Sequence, residues 1–104
     1  MKTLRLSVSD RLLLPQLLPQ QGGKIEMLLA NSISQKVMLT PDEITEFRVR
    51  DDGSGTVKWE NGREVEFEFT PEQVEILKAA SKRADNEKKI TVQTLGLIEK
   101  IDEL

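Results

Sequence analysis

Glu64, Glu66 and Glu68 are the residues of this chain best spaced to do chemistry together. At strand period they stand on one side of an extended segment, and paired carboxylates can serve acid–base catalysis. With Arg48 and Arg50 turned outward on another strand, a cross-strand charge ladder explains them without catalysis. The other use open to them is an acidic patch that faces a partner. The remaining chemical inventory is thin. The chain has no His, Cys or Tyr, which removes Ser–His, Cys–His and thiolate catalysis and every zinc site built on imidazole or sulfur. Asp51-Asp52-Gly53-Ser54-Gly55 has the look of a calcium loop but lacks its acidic spacing and terminal Glu, so it reads as a turn. Gly22-Gly23-Lys24 lacks the earlier glycine of a phosphate loop and has Ile25 where a hydroxyl is required. No catalytic residue, cofactor or metal ligand is expected, and the chain reads as non-enzymatic.

Composition bounds the partners. With 104 residues the chain is expected to be one domain with one modest core, and without cysteine that core has no disulfide support. The net charge of −3 is unevenly spread. Residues 1–41 carry five basic and two acidic residues, and residues 42–75 carry four and eleven. The acidic middle is a poor match for a phosphate backbone, which needs surplus cations. Lys82-Arg83 and Lys88-Lys89 read as a helix-end complement and a solvated loop, with no aromatic stacking platform beside them. No run approaches the ~20 apolar residues of a membrane helix. Leu12-Leu13-Leu14-Pro15-Gln16-Leu17-Leu18 is short, broken by Pro15 and followed by no small-residue cleavage site, so no signal peptide is expected. The absence of cysteine suits a reducing cytoplasm.

Two phrases set the elements that must position these residues. Leu39-Thr40-Pro41-Asp42-Glu43-Ile44 and Phe69-Thr70-Pro71-Glu72-Gln73-Val74 are the same helix start. Thr is the cap, Pro takes the first position, Glu or Gln closes a capping box, and the flanking apolar pair forms a hydrophobic staple. Ser7 with Asp10 offers an earlier start, and Pro15 is expected to end or kink that helix near Leu14. Helical spacing predicts a second helix over 24–37 and a short third over 41–46. A fourth runs from Pro71 to about Arg83 with Val74, Leu77, Ala80 and Ala84 inward. Thr91 caps a fifth carrying Val92, Leu95, Leu97, Ile98, Ile101 and Leu104, where Gly96 could mark a close helix crossing. The last two helices form an αα-hairpin.

Between them the chain alternates. Phe47 and Val49, Val57 and Trp59, then Val65, Phe67 and Phe69 are separated by charged residues, which predicts strands with one wet face. A two-residue Asn61-Gly62 turn would oppose Trp59 to Glu64. A three-residue loop instead pairs Trp59 with Arg63 and Val57 with Val65, and unites the apolar side chains. The expectation is a hairpin within a small three-stranded antiparallel sheet, with Gly62 left-handed in a G1 bulge and Trp59 in the core. The fold class is α+β.

The order of blocks resembles a group of small uncharacterised phage and prophage proteins. The blocks are Leu6-Ser7-Val8-Ser9-Asp10-Arg11-Leu12 leading to Leu17-Leu18-Pro19, the Glu43-Ile44 turn, the lone strand Trp59, and Glu87-Lys88-Lys89-Ile90-Thr91 before a final helix. The resemblance implies a phage-related origin and expression in a bacterial host cytoplasm, and it brings no activity.

Two functional readings follow. In the first, the chain is a phage-type accessory protein that binds a host or phage protein, or itself as a homo-oligomer. Glu64, Glu66 and Glu68 and the broad apolar last helix, with Leu97 and Ile101, would be its contact surfaces. In the second, three helices and a hairpin form a winged-helix-like DNA-binding regulator. Its reader helix would be the one over 24–37 or the short one after Thr40, but the short one begins Asp42-Glu43 and the wing is acidic.

Overall fold

Every helix start that carries Ser or Thr at its cap closes its capping box. Ser7 accepts from the amide of Asp10, Thr40 from that of Glu43, Thr70 from that of Gln73 and Thr91 from that of Thr94. Each side chain three residues on reaches back to the cap amide, so donors that the first turn leaves orphaned are satisfied in pairs. The computed structural model describes residues 1–51, 53 and 55–104. Their order is β1 (Lys2–Leu6), α1 (Val8–Leu17), α2 (Lys24–Val37), α3 (Pro41–Glu46), β2 (Arg50–Asp51), β3 (Val57–Lys58), β4 (Val65–Phe69), α4 (Pro71–Asn86) and α5 (Val92–Asp102). The fold is mixed α+β, with helices before, between and after two small antiparallel sheets.

The pairing of the strands departs from the expected ribbon. β4 does not pair with β3. It lies antiparallel to β1, the first strand of the chain, with Leu4 opposite Phe67, Arg5 opposite Glu66 and Leu6 opposite Val65. β2 and β3 make a separate two-residue pair, Arg50 with Lys58 and Asp51 with Val57. There is thus no three-stranded sheet among the described residues, and the interior that was to unite Val57, Trp59 and Phe67 is not formed. Val57 and Trp59 remain more than a third exposed. The left-handed residue near that corner is Asn61 (φ 58°), not Gly62. Gly62 is closely packed instead. A Cβ there would stand 3.0 Å from Trp59 Cδ1 and 3.1 Å from Val8 Cγ2, so the indole lies against bare backbone. Phe47, expected in a strand, is the C-cap of α3 and fully buried. Arg48 turns the chain with φ 52°. Of the Asp51–Gly55 turn, Asp52 and Ser54 lie outside the described residues, and Gly53 N donates to Asp51 Oδ1 at 2.8 Å.

The core lies between the inner face of the β1–β4 ribbon and the helices. Leu4, Leu6 and Phe69 meet Leu14, Ile33, Val37, Leu77, Leu97 and Ile101 there. Of the two outcomes expected at Pro15, an end or a kink near Leu14, the end does not occur, and α1 runs through Pro15 to Leu17. Leu14 and Leu18 are both buried on either side of the proline, so packing of the last turn offsets the lost amide donor. α4 continues to Asn86, beyond the expected Arg83, with Ala84 still buried in its last turns. No described helix is long and apolar enough to cross a membrane.

Candidate protein-binding surface

β4 alternates, so Val65, Phe67 and Phe69 turn toward the helices and Glu64, Glu66 and Glu68 are exposed. The partners expected for these glutamates are elsewhere. Arg48 and Arg50 both approach Glu60, at 3.4 and 3.6 Å, and β2 is in the other sheet. Across the ribbon Glu66 faces Arg5 and Glu68 faces Thr3. The side chains of Glu66 and Glu68 take no hydrogen bond or ion pair among the described residues.

Two lysines fix this ribbon from its outer edges. Lys36, from α2, donates to the carbonyl of Glu68 at 2.6 Å and to Gln73 Oε1 at 3.1 Å. Its ammonium also lies 5.2 Å from the centre of the Phe69 ring. Lys100, from α5, donates to the carbonyl of Arg5 at 2.9 Å, to Asp10 Oδ2 at 2.7 Å and to Glu64 Oε2 at 3.1 Å. Burial works against the Lys100 charge, but the hydrogen bonds and negative charges of Asp10 and Glu64 outweigh it and raise its pKa above the usual 10.5. A bare two-stranded ribbon is marginal. Here helical lysines occupy edge carbonyls that would otherwise face open water, which also blunts the edges against stray strands.

A third lock lies behind the ribbon. Arg11 is buried, with only 2 % of its side-chain surface exposed. Its Nε donates to the carbonyl of Val37 at 2.9 Å and its Nη2 to that of Met38 at 3.1 Å, which caps the end of α2. The same guanidinium makes a fork with Glu43, at 2.6 and 2.7 Å, and sits 5.0 Å from the centre of the Phe67 ring. The Arg11 hydrogen bonds hold the Glu43 carboxyl down at about 2 from a usual 4.5. Burial opposes this, and the bonds with Thr40 and the Arg11 charge add to it. Arg11 carries no motif and nothing in its local sequence marks it. Only the Glu43 capping position hinted that this carboxylate has a second use.

Leu97 and Ile101, expected on a contact surface, are fully buried in the chain's own core. Their side of α5 packs against α4 and β1, so they are not available to a partner in this fold. The apolar residues that α5 leaves outside are Val92 and Leu95, 93 % and 46 % exposed. Ile25 and Leu28 are exposed on α2. A groove of about 620 Å³ runs between α1, α4 and the start of α5, with Leu13, Leu17, Ala80 and Ala84 among its lining and Arg83 and Lys89 near its rim. Trp59 lines a smaller recess of about 290 Å³ with Ser7, Ser9 and Arg63. Among the described residues no group of three or more Asp or Glu is placed to hold a metal ion. Of the two helices that a DNA-binding reading casts as reader, α2 buries Ala30, Ile33 and Val37 and α3 is six residues long, and the two strands it casts as a wing, β3 and β4, do not pair with each other.

Comparison of the chain with family models, curated proteins and solved structures found no match.

Proposed function

We propose that the chain is a non-enzymatic accessory protein, of the small phage type that its sequence resembles, and that it works in a bacterial cytoplasm by binding another protein. The recognition surface is the outer face of the β1–β4 ribbon, and the partner is a host or phage protein with a basic patch. One observation carries this reading: Glu66 and Glu68 are exposed and make no side-chain hydrogen bond or ion pair among the described residues, on a backbone that Lys36 and Lys100 hold at its carbonyls. Carboxylates repeated at strand period, roughly 7 Å apart, form a rigid row that needs little ordering on binding. Such a row favours fast, salt-sensitive encounter with a basic surface. The two lysines engage carbonyls of the ribbon and make no ion pair with Glu66 or Glu68, which leaves Arg5, opposite Glu66, as the cation facing the row.

The test is affinity purification from a bacterial host, with the unaltered chain and the Glu66→Lys/Glu68→Lys variant as paired baits. The expected result is a protein retained by the first bait at low salt, released as salt rises, and lost from the second. Identical recovery by both baits refutes the ribbon as the binding face. Both positions are exposed, and matching thermal unfolding curves confirm that the variant is folded.

A further inference from the structure

We propose that the groove between α1, α4 and the start of α5 is a binding site for a small amphiphilic carboxylate, which lays its apolar body along the helices and its carboxylate on Arg83. This goes beyond the protein-binding reading, and the groove shares no lining residue with the β1–β4 ribbon.

The shape of the groove follows from residue size. α1 presents Leu13 and Leu17 to it, and α4 presents Ala80 and Ala84, each pair one turn apart on its helix. The leucines are half-buried and the alanines buried, so the floor is apolar. Alanine contributes only a methyl, and the space that a longer side chain would fill stays open. At about 620 Å³ the groove falls within the range of pockets that hold one small molecule, about 300–1,000 Å³. The Trp59 recess, at about 290 Å³, falls just short of it.

The polar groups around that floor identify the ligand. The charged residues of the lining are Arg83, Lys89 and Glu87. Lys89 and Glu87 stand 3.7 Å apart and offset each other. Arg83 makes no ion pair among the described residues. Its hydrogen bond runs from Nη2 to the carbonyl of Leu17, at 3.4 Å, which leaves most of its donors free. Leu17 lines the groove as well, so that bond holds the guanidinium at the groove wall. A guanidinium with a free edge matches a carboxylate through parallel hydrogen bonds. Gln16 and Gln93 line the same groove, with side chains that take no hydrogen bond among the described residues, and can orient the head group. The single uncompensated positive charge suits a monoanion. A dianionic phosphate would bring a second negative charge toward Glu87, and an uncharged molecule would leave Arg83 unused.

The experiment titrates the full chain with sodium octanoate, followed by calorimetry and by amide chemical shifts. Saturable binding is expected, with the shifts centred on α1, α4 and the start of α5. Acetate, which lacks the apolar body, and octanol, which lacks the charge, should each bind at least about tenfold more weakly. Arg83→Gln should weaken octanoate binding about tenfold, and Arg83→Lys, which keeps the charge but not the fork, should fall between. Lys82→Gln removes an exposed charge one residue away that does not line the groove, and should leave binding unchanged. Arg83 is exposed, and matching thermal unfolding curves confirm that its variants fold. Absence of saturable octanoate binding up to millimolar concentration overturns the proposal. So does binding that Arg83→Gln leaves unchanged, or shifts centred on the Trp59 recess. No host protein is present, so none of these results bears on the ribbon, and Glu66→Lys/Glu68→Lys is expected to bind octanoate as the unaltered chain does.

Discussion

Replacing Glu43 by Gln isolates one charge in the lock that joins α1, α2 and α3. The amide keeps the size of the carboxyl and can still reach the Thr40 amide in the capping box. What it loses is the charge facing Arg11, a guanidinium with 2 % of its side-chain surface in water. The structure sets the magnitude. A carboxyl held at about 2 instead of 4.5 is worth about 3 kcal/mol at ~1.36 kcal/mol per pH unit. Glu43 keeps 15 % of its side-chain surface in water, and that screening brings the expectation to about 2–3 kcal/mol. Against a whole-domain stability of about 5–15 kcal/mol this is a large loss, near 10–20 °C in melting temperature for a chain of this size.

The sign with pH is fixed. The folded pKa lies below the unfolded one, so the contribution is complete above pH ~4.5 and is lost as pH falls toward ~2. Urea unfolding of both proteins, followed by the fluorescence of Trp59 and by circular dichroism, gives stability against pH from the midpoints at constant slope. The two curves should lie about 2–3 kcal/mol apart at pH 6 and converge toward pH 2. In an Arg11→Met background the same substitution should cost less than about 1 kcal/mol, because the partner charge is gone. A loss below about 0.5 kcal/mol at pH 6, the ordinary surface-substitution range, or two parallel curves down to pH 2, would refute the reasoning.

Lys100→Met should remove a contribution that is present below pH ~10.5 and fades as pH rises through the raised folded pKa. The stability difference between the two proteins should therefore shrink in alkali. Gly62→Ala should cost about 1–2 kcal/mol in urea unfolding, because the new methyl must displace the indole of Trp59 or the buried Val8. A mobility shift with duplex DNA should be absent even at low salt, where binding to phosphates is strongest. A shift there would return the winged-helix reading to the front.

The helices were legible because their signals are local. Thr40, Thr70 and Thr91 each have their box partner three residues away, the start of α3 follows from such a signal, and the bounds of α2, which starts at Gly23 without a side-chain cap, follow from apolar spacing alone. The ribbon was not legible, because its pairing is nonlocal. Leu4 and Leu6 alternate with Thr3 and Arg5 as a half-buried strand should. Yet five residues at one end of the sequence carry no mark of the partner they take on the far side of α3, and register arithmetic applied to neighbours alone joined β3 to β4. The site was half legible. Alternation placed Glu64, Glu66 and Glu68 on a wet face, but Arg11, Lys36 and Lys100 look like ordinary surface cations until the chain is folded.

The last helix shows the same limit in sharper form. Five large apolar residues on α5, with Leu104 just beyond it, exceed what one stripe can bury, and the sequence states that excess without saying which residues make it up. The choice depends on where the β1–β4 ribbon presses. β1 packs against α5, Lys100 reaches over to the carbonyl of Arg5, and Ser81 of α4 holds Asp102 at 2.7 Å. These contacts fix the rotation of the helix, so Leu97, Ile98 and Ile101 must turn inward and Val92, Leu95 and Gly96 outward. Had β4 paired with β3, α5 would lack that clamp. The surface left for partners is thus set by the one strand pairing that local reasoning does not reach. Cutting the clamp with Lys100→Met should therefore free the rotation of α5 and raise amide exchange along that helix, whereas Glu43→Gln, which acts at the far lock, should leave exchange in α5 of the still-folded chain unchanged.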